Sequence, residues 1–324
     1  MNAPDHRSSV VSAVVVDYAA GPVLAECVGS LRAEGVAVVV VENGDPGHAQ
    51  AVLPEHWRVP VIDPGRNLGY GAGANRGVAA GVTSDYVLVC NPDLHVHPGA
   101  VRAMADALDA EPAWAIVGPT VLTPEGDPYP SVRQFPSLLD AAGHAVLGRV
   151  LPDNPFTRRY RSSGAAGGAP AQADWVSGAC ILARRDALEE LGGFDEAYFM
   201  FAEDMDLCWR AHRAGWGVGW QPAARVTHVQ GVSTRRHPYR MLLAHHRSAL
   251  RFVVRSTEGW RRVTLPLAAA VLGARLAAAT AIVAARSRAI GAARSRAILA
   301  VPSVRAADGS VVASRSQSQA KRPT

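Results

Sequence analysis

The chain has 324 residues, of which 48% are hydrophobic and 19% charged, and a formal net charge of +5. That describes an ordinary globular protein with one large or two small domains and enough length for a real core. The basic excess is nearly all arginine, dense after Arg235, while acidic residues almost stop after Glu258. Such an end suits anionic lipid or phosphate, and no nucleic-acid-binding module accompanies it.

Four cysteines, Cys27, Cys90, Cys180 and Cys208, lie far apart and form no paired metal motif, so buried free thiols are expected. Residues 1–9 are polar, without an apolar signal core, and are expected to be disordered. The main part of the chain is therefore expected to stay in the cytoplasm.

Residues 10–16 and 36–41 are continuous β-branched runs with a helical stretch, 23–34, between them. The alternation predicts the start of a parallel sheet in an α/β fold. Further strands are expected at 59–62 and 87–90. The strand ends carry Asp17-Tyr18, Glu42-Asn43 and Asn91-Pro92-Asp93, and ligands of open parallel sheets bind beyond such ends. Between them, 66–77 is glycine-rich, with Asn67, Gly69, Gly71, Gly73 and Asn75, and suits close approach of backbone to a ligand.

A helix at 101–108 and a strand at 115–121 follow, then a long loop over 129–174 of the size that is usually functional or disordered. Strand character returns at 175–183, and 185–191 is a short helix ending at Gly192-Gly193. The stretch 192–210 is the centre of the chain. On a helical wheel Phe201, Met205, Cys208, Trp209 and His212 form an apolar arc, with Glu203, Asp206 and Arg210 opposite at pairing distance. Asp204 sits at the rim of the apolar arc in the first turn, where a general base could face a cleft. Charge decoration of a helix start is the alternative.

A strand near 217–221 precedes the 225–233 segment, and 239–255 reads as a basic amphipathic helix. Residues 265–285 are apolar but alanine-heavy and carry Arg275 mid-span. Arginine at a bilayer centre costs about 2.5–3.5 kcal/mol on insertion scales, which favours an interfacial helix over a spanning one. An ordinary packing helix is the third possibility. The tail, 303–324, is polar, aperiodic and expected to be disordered.

Taken in order, Asp17-Tyr18, Glu42-Asn43-Gly44, Asn67-Leu68-Gly69-Tyr70, Asn91-Pro92-Asp93, Ser177-Gly178-Ala179, Gly192-Gly193-Phe194-Asp195, Glu203-Asp204 and His228 resemble family 2 glycosyltransferases of the GT-A fold. Within that family the pattern is most similar to bacterial cell-wall linker rhamnosyltransferases. The resemblance covers about residues 10–255 and implies a GT-A domain over 10–258, with helices on both faces of its sheet. Residues 259–302 would then be basic, membrane-associated C-terminal helices.

Carried over by position, the resemblance implies that Asp17, Tyr18, Glu42, Asn43, Asn67, Gly69, Asn75 and Asp93 bind the nucleotide-sugar. Asp93 matches the last residue of an Asp-x-Asp element whose first position is here Asn91. With His228 as second protein ligand, a divalent cation (Mg2+ or Mn2+) is implied. Asp204 would be the general base, with Glu203 as fallback. Trp175, Ser177 and Gly178 would line the acceptor side; for Trp175 a core role is equally open.

The implied activity is inverting transfer of L-rhamnose from dTDP-rhamnose to a polyprenyl-diphosphate-linked saccharide, peripherally at the cytoplasmic face of the membrane. The partners are then the donor, the lipid-linked acceptor and an anionic membrane surface. Rivals are another donor such as UDP-galactofuranose, and a catalytically silent sugar-nucleotide-binding scaffold.

Overall fold

The computed structural model describes residues 11–135, 151, 168–229 and 238–299, with side chains beyond Ala285 limited to Arg288. The expected disorder of 1–9 and 303–324, most of the 129–174 loop, and 230–233 lie outside those residues. The chain divides into two compact units, Met1–Thr280 and Ala281–Thr324.

The first unit opens with β1 (Val11–Asp17), α1 (Pro22–Ala33) and β2 (Ala37–Glu42). Every residue of β1 is buried, because both faces of this strand carry helices. Side chains alternate across the sheet: Ala13 and Val15 join one core, Val14 and Val16 the other. Next come α2 (His48–Val52), β3 (Val61–Ile62), α3 (Tyr70–Ala79), β4 (Tyr86–Cys90), β5 (Leu94–Val96), α4 (Ala100–Ala110) and β6 (Trp114–Leu122). The short strands β7 (Pro128–Tyr129), β8 (Val132–Arg133), β9 (Ala171–Gln172) and β10 (Trp175–Val176) follow. Then come β11 (Cys180–Arg184), α5 (Arg185–Glu190), α6 (Glu203–Arg213), β12 (Gly217–His228), α7 (Pro238–Ser256) and α8 (Leu265–Leu299).

The main sheet runs β3-β2-β1-β4-β11-β6-β12-β5, with β7 on β6 and β9 on β12. Strands β1, β2, β3 and β4 are parallel, but β11 enters antiparallel between β4 and β6. The sheet is therefore mixed. The 175–183 run is not one strand: Ser177, Gly178 and Ala179 interrupt it, leaving β10 paired with β8 and β11 in the main sheet.

The glycines of 66–77 serve packing more than ligand approach. Gly71, Gly73 and Gly77 lie inside α3, and a Cβ on Gly77 would stand 2.3 Å from Val14 Cγ1. One on Gly73 would meet Val16 at 2.9 Å, so these glycines let α3 sit directly on β1.

The wheel for 201–212 needs correction. The helix starts only at Glu203, since Phe201 and Ala202 have positive φ of 69° and 62°. Its buried residues are Glu203, Asp206, Leu207, Cys208 and Ala211, so the acidic arc faces inward. Phe201, Met205, Trp209 and His212 are only half-buried. Asp206 is fully buried because Arg210 follows it inside, at 2.7 Å, as the charge spacing suggested. Glu203 makes no such pair.

All four cysteines are free and buried.

Candidate active site

A cleft of about 550 Å³ opens at the carboxyl ends of β1 and β4 and is closed on its far side by α6 and α7. Its lining includes Tyr18, Asn43, Asn67, Gly69, Asp93, Trp175, Ser177, Gly178, Glu203, Asp204 and His228. Sequence reasoning had grouped these residues; the fold brings them to one place.

At one end His228, the last residue of β12, meets the Asn91-Pro92-Asp93 turn after β4. Its Nε2 lies 3.0 Å from Asp93 Oδ1 and 3.2 Å from Asn91 Nδ2. The pairing follows from strand register, because β12 runs antiparallel to β5 with His228 opposite Leu94. His228 Nδ1 is buried without a hydrogen-bond partner among the described residues. A hard carboxylate and an imidazole at this distance fit a divalent ion completed by phosphate oxygens and water. Among the described residues no group of three acidic, His or Cys side chains could enclose an ion unaided.

At the carboxyl end of the sheet, Asp17 and Glu42 are register partners at the ends of β1 and β2. Asp17 Oδ1 accepts the Ala20 amide at 3.0 Å, while Oδ2 is buried without a partner among the described residues. Burial, the largest influence, raises the Asp17 carboxyl above its ordinary range. Glu42 does not line the cleft. Its two oxygens accept the Gly47 and Ala49 amides at 2.8 and 2.5 Å and so tie down the turn after β2. Asn43 accepts from the Leu68 amide and donates to the Gly69 carbonyl, both at 2.8 Å. It thereby ties the strand end to the turn that Asn67 braces through the Gly69 amide at 2.9 Å. Gly69 has φ of 89°, and a Cβ there would stand 2.1 Å from the Phe199 carbonyl. Asn75 also lies away from the cleft, bonded to the Phe194 backbone through both ends of its amide at 2.9 Å.

The opposite wall is built around Glu203 and Asp204. The two strained residues before them turn the chain sharply, a conformation that costs of order 1–3 kcal/mol per residue and persists only where neighbours enforce it. Ser248 of α7 supplies one restraint, donating to the Met200 carbonyl at 2.9 Å. Another is the Asp206 carboxylate, which takes Arg210 Nε at 2.7 Å and the Tyr198 hydroxyl at 3.2 Å. Arg210 in turn donates to the Leu191 and Gly193 carbonyls, pinning α6 to the Gly-Gly turn.

Asp204 Oδ2 accepts the Gly178 amide at 2.7 Å and Oδ1 accepts its neighbour Met205 at 2.8 Å. Burial raises its carboxyl, and those amides together with Arg133 oppose the rise. Glu203 is 6% exposed, and its Oε2 has no partner among the described residues. Burial and then the Asp204 charge push its carboxyl up to about 8. Two adjacent carboxyls thus differ: Asp204 is held by backbone amides, whereas burial and the Asp204 charge favour the protonated form of Glu203.

A glycosyltransferase-like family 2 model matches residues 6–251, more than half of the chain. The chain belongs to that family. This family 2 glycosyltransferase is 39% identical over 274 residues to the N-acetylglucosaminyl-diphospho-decaprenol L-rhamnosyltransferase of Mycobacterium tuberculosis H37Rv, covering 80% of this chain and 88% of the relative. Among solved structures it is similar to the mannosyltransferase PcManGT from Pyrobaculum calidifontis in complex with GDP-Man and Mn2+. That match has a TM-score of 0.53 and 18% identity, over 88% of this chain and 79% of the other. It is also similar to GalNAc-T7 with UDP, GalNAc and Mn2+, at TM-score 0.52 and 14% identity, over 68% of this chain and 43% of that one. These two establish the GT-A fold.

The glycosyltransferase cleft also holds contacts to which the motif reading gave no role. The Tyr70 hydroxyl donates to the Gly178 carbonyl at 2.5 Å, joining α3 to the Ser177-Gly178-Ala179 turn. Arg133 lies over the Trp175 ring at 5.1 Å, and Trp175 Nε1 donates to the Gln134 carbonyl at 3.1 Å. Helix α7 contributes Arg240, Met241, His245 and Ala249 to the wall. The spacing of four between the last three was the available signal. His245 stands edge-on to the Phe201 ring, with centroids 5.4 Å apart.

Proposed function

We propose that this chain is an inverting glycosyltransferase that moves L-rhamnose from dTDP-rhamnose to a polyprenyl-diphosphate-linked N-acetylglucosaminyl acceptor. The observation that carries the reading is the placement of Asp204 in the same cleft as the Asp93–His228 pair. The likeness to the mycobacterial rhamnosyltransferase supports the sugar and the acceptor.

Asn43 would border the nucleoside, while Asp17, fully buried and outside the cleft lining, would support that strand end through the Ala20 amide it accepts. The Asn67-to-Gly69 turn would lie against ribose and phosphate. Asp93 and His228 would hold a divalent ion, which supplies charge neutralisation for the departing diphosphate. Asp204 would take the proton of the acceptor hydroxyl as that oxygen bonds to the anomeric carbon and the carbon–oxygen bond to the diphosphate breaks. A single displacement from the opposite face inverts the centre. Burial lifts the Asp204 carboxyl toward the basicity that such a transfer needs, while the Gly178 amide fixes its direction. Trp175, Ser177 and Gly178 would border the acceptor sugar.

The enzyme would bind peripherally at the cytoplasmic face of the membrane. One stretch among the described residues, Gly259–Ala285, is long and apolar enough to cross a membrane, and none of it is buried. Trp260, Val263 and Leu267 are 78%, 75% and 68% exposed, beside the exposed Arg261 and Arg262. Aromatic, aliphatic and arginine side chains together suit a head-group interface.

The test is nucleoside diphosphate release by purified protein across dTDP-, UDP- and GDP-sugars, with and without a lipid-linked acceptor and Mn2+. Acceptor-dependent release from dTDP-rhamnose alone is expected. Preference for UDP-galactofuranose would change the donor, and no release from any donor would leave a binding scaffold.

A further inference from the structure

We propose that Arg133 and Arg240 form a second anion site that grips the diphosphate of the lipid-linked acceptor; this rests on the transfer reading above. Both side chains line the cleft that contains Asp204. Neither forms an ion pair among the described residues. Four other arginines of α6 and α7 are engaged: Arg210 with Asp206, Arg213 with Glu258, and Arg251 and Arg255 with Asp195. Two unpaired guanidiniums in one cleft therefore stand out chemically.

Arg133 is also held in place. Its Nε donates to the Pro130 carbonyl at 2.8 Å, and its guanidinium lies over the rings of Trp175 and Tyr129 at 5.1 and 5.9 Å. One terminal nitrogen also lies 3.5 Å from the Tyr129 hydroxyl, and with the plane fixed by stacking the remaining N–H groups can meet a phosphate, a geometry arginine supports and lysine does not. Its charge reaches Asp204, which sets it on the base side of the cleft. The proposed pair of ion ligands, Asp93 and His228, comes from the β4 turn and the end of β12 rather than from this wall. Arg240 is exposed on α7 and is followed by Met241. Met200, Phe201, Met241 and Ala249 line the same cleft and give an adaptable apolar surface for the first isoprene units. An anionic linker with a branched hydrocarbon chain matches both halves of this wall.

The test uses farnesyl diphosphate as the probe, titrated into the full chain at saturating dTDP so that the donor site is filled. Binding is read by calorimetry, with farnesol as the uncharged control. Arg133→Gln and Arg240→Gln should each raise the Kd about 10–100-fold, as expected for loss of a charged hydrogen bond. Arg133→Lys should fall between wild type and Arg133→Gln. Exposed Arg240 keeps the test valid if Arg133→Gln unfolds. Unchanged affinity in Arg240→Gln, wild-type binding equal for farnesol, or complete displacement of the probe by dTDP would overturn the site. Sugar transfer is scored separately. Probe binding through both arginines without transfer from any donor would sink the transferase reading and leave the anion site standing.

Discussion

The Gly178 amide donates to Asp204 Oδ2 at 2.7 Å, and a Cβ at Gly178 would stand 3.0 Å from the Asp204 Cβ. The turn between β10 and β11 and the start of α6 are thus fitted to each other at the proposed base. Gly178→Ala should push Asp204 out of line while sparing the core. We expect kcat to fall at least ~10-fold, since small misplacements at a reacting group are expensive, with donor KM nearly unchanged. Steady-state kinetics with the donor and acceptor varied in turn reads both. Wild-type kcat in this variant would mean that the contact is incidental.

Glu203 gives a pH-dependent stability. Its carboxyl is raised from 4.5 to about 8 in the folded chain, so the folded state holds a proton that the unfolded state releases. The resulting stabilisation is fully present below the unfolded value and is lost as pH rises through the folded one. Wild type should lose ~1 kcal/mol per pH unit between roughly pH 5 and pH 8 relative to Glu203→Gln, which has no proton to lose. Urea unfolding of both proteins across that range checks the slope. Parallel curves would show that Glu203 is ionised in the fold.

Removing the Asp206 carboxylate should be structural before it is catalytic. Asp206 is completely buried against Arg210, and Arg255 Nε lies 3.3 Å from it. Asp206→Ala leaves the Arg210 guanidinium without a counter-charge, which costs about 3–5 kcal/mol, while Arg255 keeps Asp195. A clear drop in Tm is expected, with the strained Phe201–Ala202 turn released. An unchanged Tm would remove this cluster from the account of how Asp204 is held.

How much of this was legible in the sequence depends on where each residue finds its partner. The strand ends bearing Asp17, Asn43 and Asp93 were legible because a buried β-branched run that stops at a polar residue marks the edge of a parallel sheet. The burial of Glu203 and Asp206 was not. A wheel started at Phe201 assumes helical φ there, and the partners that make buried acids tolerable, Arg255 and the turn at Gly193, lie far along the chain. Glu42 and Asn75 look like ligand contacts from their motifs, yet their polar atoms are taken by backbone amides and carbonyls. The arginines of the cleft carried no motif, and α7 could be placed on the wall only once its contact with the 199–202 segment was known.

For the membrane surface, replacing Trp260 and Val263 with serine and aspartate should lower flotation of the full chain with vesicles rich in anionic lipid. Both residues are exposed, so folding should change little. Neutral vesicles should bind wild type more weakly, since Arg261 and Arg262 add about 1 kcal/mol each only at a charged surface. Equal flotation of variant and wild type would move the contact elsewhere.

The most direct measurement of the central claim is single-turnover transfer by Asp204→Asn beside Glu203→Gln. Asparagine keeps size and hydrogen-bonding capacity but cannot accept the hydroxyl proton. The account predicts a loss of ~10²–10⁴-fold in Asp204→Asn with donor affinity near wild type. Glu203→Gln, which replaces a carboxyl whose protonated form is favoured, should retain most activity at neutral pH. Abolished transfer in Glu203→Gln together with near-normal transfer in Asp204→Asn would contradict the account.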